Sequence, residues 1–399
     1  MTAPAVLPFD VLGNVLHKIS QSGDSTSMNH CRLANKVLAN MARKHTFHTV
    51  RLRQRPADDD NSHPIGRFAD LVRENPAIAA CVGVMEIVST KDYNEPGPFE
   101  VLHQVKNLES FSIAFGHEES RYNRSWNNIE PGIRSSIEAL LRSNSLTSLA
   151  MTGIHRIPID LFQHQPLLRD LDLLEVTPSL EEMATSELPS LRLLALHLRE
   201  GSLKFWKYVG GGDCLFNISE ATELEVSGYE ATTAELQQCI TDMIAVPGQL
   251  ESLKISAIVF ADSDLPWTSC SSILGSLLPA STRTLRKISL SIQTVMAPDW
   301  NPYVDLLSEL ARIQGSNVLE DIHLCVQSGW DSSLNKDPAL WRGLDNVLSS
   351  GFPHMRRLIL EYDVSNEGED ALVRELLAAQ LPWCHANLDF TSQVEEVLL

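Results

Sequence analysis

The sequence predicts an α/β chain in two parts: a helical head over residues 1–50 and a repeating body over residues 51–399. Three observations lead to that expectation. An apolar-x-x-apolar-x-apolar spacing returns along the body, helical patterns lie between its copies, and the charge changes sign between head and body. Each copy ends in the alternation of a strand with one buried face. The body is therefore expected to be a curved parallel sheet with helices outside it, stacked as an irregular solenoid.

The head opens with "VLPFDVLGNVLHKIS" at residues 6–20. Pro8 suits a first helical turn, where its missing N–H has no helical partner to lose. Asp10 follows where the helix dipole favours a carboxylate. Val11, Leu12, Val15, Leu16 and Ile19 then share one helical face. After the polar turn "SGDSTS", a second helical stretch is expected from about Met28 to His45, with Met28, Cys31, Ala34, Leu38, Met41 and Ala42 as its apolar positions. "TFHTVRLR" reads as a strand leading out. A head this short buries too little surface to stand alone, so its apolar stripe needs either the body or another protein.

In the body the repeated spacing falls on Val82, Met85, Ile87; Leu108, Phe111, Ile113; Leu146, Leu149, Met151; and Leu168, Leu171, Leu173. It continues at Leu191, Leu194, Leu196; Ala221, Leu224, Val226; Leu250, Leu253, Ile255; and Leu285, Ile288, Leu290. The last copies are Leu319, Ile322, Leu324; Met355, Leu358, Leu360; and a remnant at Leu388 and Phe390. Between them "GIRSSIEALLRS" carries Ile133, Ile137, Leu140 and Leu141 on one helical face. "NPYVDLLSELARIQG" predicts a helix with Asn301 as N-cap, Pro302 in its first turn and Gly315 just past its end; "DPALWRGLDNVLSSG" repeats that grammar with Asp337, Pro338 and Gly351.

Charge and composition narrow the function. Residues 1–55 hold eight Lys/Arg against two Asp/Glu, a balance of +6, within a chain of net charge −19. The acidic body repels phosphate backbones, which speaks against nucleic-acid binding. No apolar run approaches the ~20 residues that span a bilayer, and no basic-plus-apolar leader opens the sequence, so a cytoplasmic or nuclear protein without membrane contact is expected. The seven cysteines are scattered with no C-x-x-C, as befits small buried hydrophobes rather than a zinc site or disulfide framework. No nucleophile-elbow, phosphate-loop, zinc-protease or dinucleotide motif is present, so neither catalytic residues nor a cofactor is expected. "VGGGDC" at 209–214 lacks the Lys-Ser/Thr of a phosphate loop, and "PADDDN" at 56–61 lacks the glycine and closing glutamate of a calcium loop. His45 and His48 have no acidic or Cys neighbour in sequence to make a metal site with them.

The body resembles the leucine-rich repeat. Its copies are spaced irregularly, 22 to 38 residues apart, and the Asn or Cys that regular arrays place three residues beyond the last apolar position is replaced by Gly116, Gln293, Gln327 and Asp363. The head resembles an F-box, whose opening L-P-x-E/D-L-L appears as Leu7, Pro8, Phe9, Asp10, Val11, Leu12. Where that family usually carries Cys-Arg-x-Trp, this chain has Asn35, Lys36, Val37 and Leu38. The coupled resemblance implies a substrate receptor of a cullin-type ubiquitin ligase that does no chemistry itself. Leu7, Pro8, Val11, Leu12, Val15, Leu16, Ile19 and Leu38 would dock on a Skp-family adaptor and through it a cullin, while the repeats hold the client protein. The basic head suits an acidic adaptor surface. A repeat scaffold whose head is only an N-terminal cap is the alternative reading.

Residues between the apolar strand positions face the other side of the sheet. They include Asp170, Asp172, Glu223, Glu225, Asp321 and Glu361, with Lys254, Lys287 and Arg357 among them. These carboxylates are candidates for an acidic strip that reads a basic client segment; equally, they are what the solvated face of a strongly acidic protein contains.

Overall fold

A computed structural model of the 399-residue chain describes residues 9–34, 36–53, 64–89, 97–115, 124–179, 190–199, 201–211, 214–228, 233–260, 271–295, 303, 305–315, 317–327, 338–364 and 369–396. It is a mixed α/β structure that divides into two compact units, the first built mainly from residues up to Leu168 and the second mainly from Arg169 onward.

The first unit begins with three helices, α1 (Phe9–Gln21), α2 (Ser25–Ala34) and α3 (Lys36–Phe47). Two helices thus replace the single stretch expected between Met28 and His45. Asp24 starts α2 by accepting the Ser27 N–H at 2.9 Å, the side-chain cap that satisfies a first-turn donor. Next come β1 (Thr49–Arg53), α4 (Pro64–Glu74), β2 (Val84–Ser89), β3 (Ser110–Phe115), the short β4 (Arg124–Ser125), α5 (Pro131–Ser143), β5 (Ser148–Thr152), β6 (Ile154–His155) and α6 (Asp160–Gln163). The strands lie in the order β1-β2-β3-β5, with β4 and β6 paired apart. Helix α5 forms where the Ile133/Ile137/Leu140/Leu141 face predicts it. Pro131 sits in its first turn, and the Glu130 carboxylate accepts the Ile133 N–H at 2.9 Å.

The second unit contains β7 (Asp170–Leu174), β8 (Leu191–Arg192), β9 (Ala195–Arg199), β10 (Val209–Gly210), β11 (Phe216–Asn217), β12 (Glu223–Gly228), α7 (Thr233–Ile244) and β13 (Ser252–Phe260). It continues through α8 (Ser271–Gly275), β14 (Lys287–Val295), α9 (Leu306–Arg312), β15 (Asp321–Gln327), α10 (Pro338–Gly351), β16 (Arg357–Val364), α11 (Glu369–Gln380), α12 (Pro382–Asn387) and β17 (Asp389–Glu396). Eight strands run in the order β7-β9-β12-β13-β14-β15-β16-β17, and β10-β11-β8 form a small separate sheet. Among the described pairs of both units every ladder is parallel, as crossover connections between successive strands require.

One carbonyl fixes the start of nearly every strand. His48 O accepts the N–H groups of Gly83 and Val84 at 2.9 and 2.8 Å, and Gly83 O then accepts those of Glu109 and Ser110. The same double acceptance recurs at Glu109, Arg169, Leu194, Thr222, Glu251, Arg286 and Glu320. Register is therefore constant although the connections vary in length. It also corrects one copy of the sequence pattern. Leu194 is 39% exposed and contributes its carbonyl, whereas Leu193, Leu196 and Leu198 are buried, so the copy runs 193–196–198 rather than 191–194–196. The ladder agrees, setting Leu196 beside Leu171 and Leu198 beside Leu173. The remaining complete copies are buried at all three positions.

Buried polar side chains occupy the turns that lead into several strands. Asn144 Oδ1 accepts the Leu108 N–H at 2.9 Å, while its Nδ2 donates to the carbonyls of Val105 and Leu140 at 2.9 and 2.8 Å. Gln165 accepts the Leu146 N–H at 2.9 Å and donates to the Leu141 carbonyl. Ser281 accepts from Leu250 and donates to Pro247 at 2.6 Å. Asn317 accepts from Leu319 and donates to Ile313 and Gly351. Each satisfies main-chain groups at a turn into a strand that burial would otherwise orphan.

Two helix expectations change. Helix α9 starts at Leu306 with Asp305 as its N-cap residue, later than predicted; Asn301 and Pro302 lie outside the described residues. Gly315 does turn left-handed beyond it, at φ +73°. Gly351 has another role. It is buried at the end of α10, where a Cβ would overlap the Gln314 side chain, so it allows close packing of neighbouring helices.

Candidate functional site

The head presents an apolar surface because its α1 stripe is wider than its own core. Val11, Val15, Ile19, Leu12 and Leu16 span an arc of about 140° at 100° per residue. Leu16, on one side of that arc, is 1% exposed and forms the core with Met28 and Ala42; Ile19, Cys31, Leu38 and Met41 pack against it. Leu12 is half-buried. Val11 and Val15, on the other side, are 39% and 50% exposed. Leu33 at the end of α2 and Val37 at the start of α3 are 84% and 46% exposed. Of the predicted docking residues, then, Val11 and Val15 face solvent, while Leu16, Ile19 and Leu38 serve the interior of the head. Leu7 and Pro8 lie outside the described residues. Leu33 and Val37 are apolar positions that the stripe on α1 gave no reason to single out.

The head also exposes Lys18, Lys36 and Lys44. A row of imidazoles ties the head to the sheet behind it. The His17 and His45 rings lie 5.8 Å apart. Burial, reinforced by His17 and His48, holds the His45 imidazole below the usual histidine range. His48 lies flat on Gly83, where a Cβ would sit inside the ring's van der Waals envelope. Only glycine at 83 admits this contact together with the two hydrogen bonds to His48 O.

The outward face of the second unit's sheet carries all six candidate carboxylates, as alternation requires, and gives most of them partners. Register aligns Asp172, His197, Glu225, Lys254, Ser289 and His323 in one rung across β7, β9, β12, β13, β14 and β15. Asp172 is held by Arg199, whose Nε lies 2.9 Å from Oδ1. Glu225 lies 3.1 Å from His197 Nδ1 and 3.0 Å from Lys254 Nζ. Those hydrogen bonds, the His197 bond first, bring the Glu225 carboxyl down to about 2. Asp321 bonds Arg357 at 2.6 Å, and Glu361 lies 3.1 Å from His323 Nε2. Glu223 is exposed. The face is thus a charge mosaic more than a bare acidic strip. His197, Arg199 and His323 are further components of this face; the alternation that marks Lys254, Lys287 and Arg357 as outward-facing marks all three.

Ser289, His323 and Glu361 come together in the manner of a hydrolytic triad. Ser289 Oγ is 3.2 Å from His323 Nδ1. The Nε2–Glu361 approach is close but misaligned for a hydrogen bond. A serine nucleophile also needs N–H donors aimed at a developing oxyanion, and the β14, β15 and β16 backbones run side by side in ladder register here. The trio reads best as a polar cross-strand contact. Among the described residues no group of three or more His, Cys, Asp or Glu is placed to hold a metal, and no helix is long and apolar enough to cross a membrane. Six described cysteines are free; burial pushes the Cys239 thiol up to about 12, consistent with a packing role. Neither a scan against protein-family models nor a search of curated proteins finds a match for the chain.

Proposed function

We propose that the chain is a substrate receptor of a cullin-type ubiquitin ligase, with an F-box-like head that docks on a Skp-family adaptor and leucine-rich-repeat-like strands that hold a client protein. The observation that carries this reading is the solvent-facing apolar set Val11, Val15, Leu33 and Val37 on a three-helix head that already has a core of its own. Exposed apolar side chains on a small helical element with a core of its own fit a protein–protein contact. The exposed lysines of the head suit an acidic partner. On this reading the protein performs no chemical step, binds no cofactor and works in the cytoplasm or nucleus.

Co-expression with a Skp-family adaptor tests it: the two chains co-purify, and Val11→Asp with Val15→Asp abolishes the complex while leaving the fold intact. The second reading, a repeat scaffold with a capping head, draws on the His48–Gly83 contact that fastens the head to β2. A well-folded chain that ignores the adaptor supports that alternative.

A further inference from the structure

His197 stands at the centre of the most charged part of the sheet face, and both of its ring nitrogens point at carboxylates. Nδ1 is 3.1 Å from Glu225 Oε2 and Nε2 is 3.9 Å from Asp170 Oδ1. A neutral imidazole has one N–H and one lone pair, whereas an ionised carboxylate only accepts. A carboxylate at hydrogen-bond distance from one ring nitrogen and a second within ion-pair distance of the other favour the imidazolium over the neutral ring. The neighbouring carboxylates favour the proton, while the neighbouring cations and burial oppose it. Strand β7 supplies Asp170 and Asp172, β12 supplies Glu223 and Glu225, β9 itself carries Arg199, and β13 carries Lys254. The turn Leu203–Tyr208, which contacts β9, carries Lys204, Lys207 and Tyr208 outside this set of strand residues. Counting the strand residues alone, four carboxylates against Arg199 and Lys254 leave two net negative charges; a proton on His197 leaves one.

We propose that His197 is a proton-operated switch on this face. With the proton in place it links Asp170 on β7 to Glu225 on β12, and the face is close to neutral. Without it, Nδ1–H still serves Glu225, but the Nε2 lone pair faces the Asp170 carboxylate and repels it. Asp170, already half-exposed, then turns outward and the net negative charge of these strand residues rises from one to two. A client segment rich in Lys or Arg is favoured by the deprotonated face; that consequence rests on the receptor reading, whereas the switch does not. The environment sets the working range: the Glu225 bond first, then Glu223, Asp172 and Asp170, raise the His197 pKa against the opposing effect of burial. The change thus falls above the ordinary histidine value of about 6.5.

The test uses the full-length chain with 13C-labelled histidine Cε1 and aspartate Cγ, assigned through His197→Gln and Asp170→Asn. In the wild type His197 titrates with a midpoint above about 6.5, and Glu225→Gln lowers that midpoint. Asp170 Cγ shows a step at the same midpoint, and that step disappears in His197→Gln. A His197 midpoint at or below 6.5, or one unmoved by Glu225→Gln, overturns the proposal, as does an Asp170 signal without a step at the His197 midpoint. No client or adaptor enters these measurements, so failure of the receptor reading leaves them unaffected.

Discussion

Replacing Asn144 by leucine isolates the seam that joins two successive strands of the first unit. The side chain is buried and makes three main-chain hydrogen bonds of 2.8–2.9 Å, to Leu108 N–H and the Val105 and Leu140 carbonyls. Leucine is of similar size, so packing changes little, but Leu108 N–H and Val105 C=O lose these partners. At about 1–3 kcal/mol for each orphaned group the loss is about 2–6 kcal/mol. The added apolar burial returns on the order of 1 kcal/mol, so a net loss near 3 kcal/mol is expected, a large share of a typical domain stability of about 5–15 kcal/mol. Hydrogen exchange with mass spectrometry on the Leu108 segment reads it directly. Protection there should fall by about a hundredfold, together with a lower urea midpoint. Asn107→Leu, which removes only an exposed bond to the Ala80 carbonyl, should stay within about 0.5 kcal/mol of wild type. If Asn144→Leu matches that control, the buried polar seams do not hold the repeats in register.

Other perturbations probe different parts of the account. Gly83→Val should loosen the head by driving a side chain into the His48 ring, seen as proteolysis between α3 and β2, with partial rescue by adding His48→Ala. Asp345→Ala removes the carboxylate that accepts the Trp383 and Cys384 N–H groups at 3.2 and 3.0 Å. It should cost roughly 2–4 kcal/mol, with fraying of α12 in hydrogen exchange. Because the folded-state pKa of His45 is depressed, the stability tied to its neutral form is complete above about pH 6.5 and lost as pH falls through the depressed value. His45→Gln should flatten that acid limb in a pH series of thermal melts. Glu225 has the opposite starting charge: its carboxyl, held at about 2, contributes stability present above its ordinary value of about 4.5 and lost as pH falls toward 2. Glu225→Gln should remove that part of the acid sensitivity.

Much of the architecture was legible because strand alternation and helical periodicity are local signals. The strand cores, α5, and α10 beginning at Pro338 all follow from spacing alone. The copy near Leu194 was misread because "LRLLAL" offers two ways to choose its leucines, and only the Arg169 carbonyl, which fixes the strand start, decides between them. The seam residues Asn144, Gln165, Ser281 and Asn317 stand outside the expected asparagine position, so the motif could not reveal them; their partners lie between 2 and 39 residues away. On the head, periodicity defined the apolar arc of α1 but not its division. Which part turns inward depends on Met28 and Ala42, contributed by the other two helices. On the sheet face, carboxylate positions were readable, while their pairing with Arg199, His197, Lys254 and Arg357 depends on strand order.

Docking of the head's exposed apolar set on an acidic adaptor is open to titration calorimetry of the full-length chain with a purified Skp-family adaptor. Val11 and Val15 are about half-exposed and lie apart from the Leu16 core, so Val11→Asp with Val15→Asp should leave the thermal melt unchanged. Denying two valines their burial costs about 2–3 kcal/mol of binding, and placing carboxylates against an acidic partner adds to that. Saturable binding is expected of the wild type and at least a hundredfold weaker binding of the double variant. A wild-type chain that shows no heat of binding, or a double variant that binds as tightly as wild type, contradicts this docking.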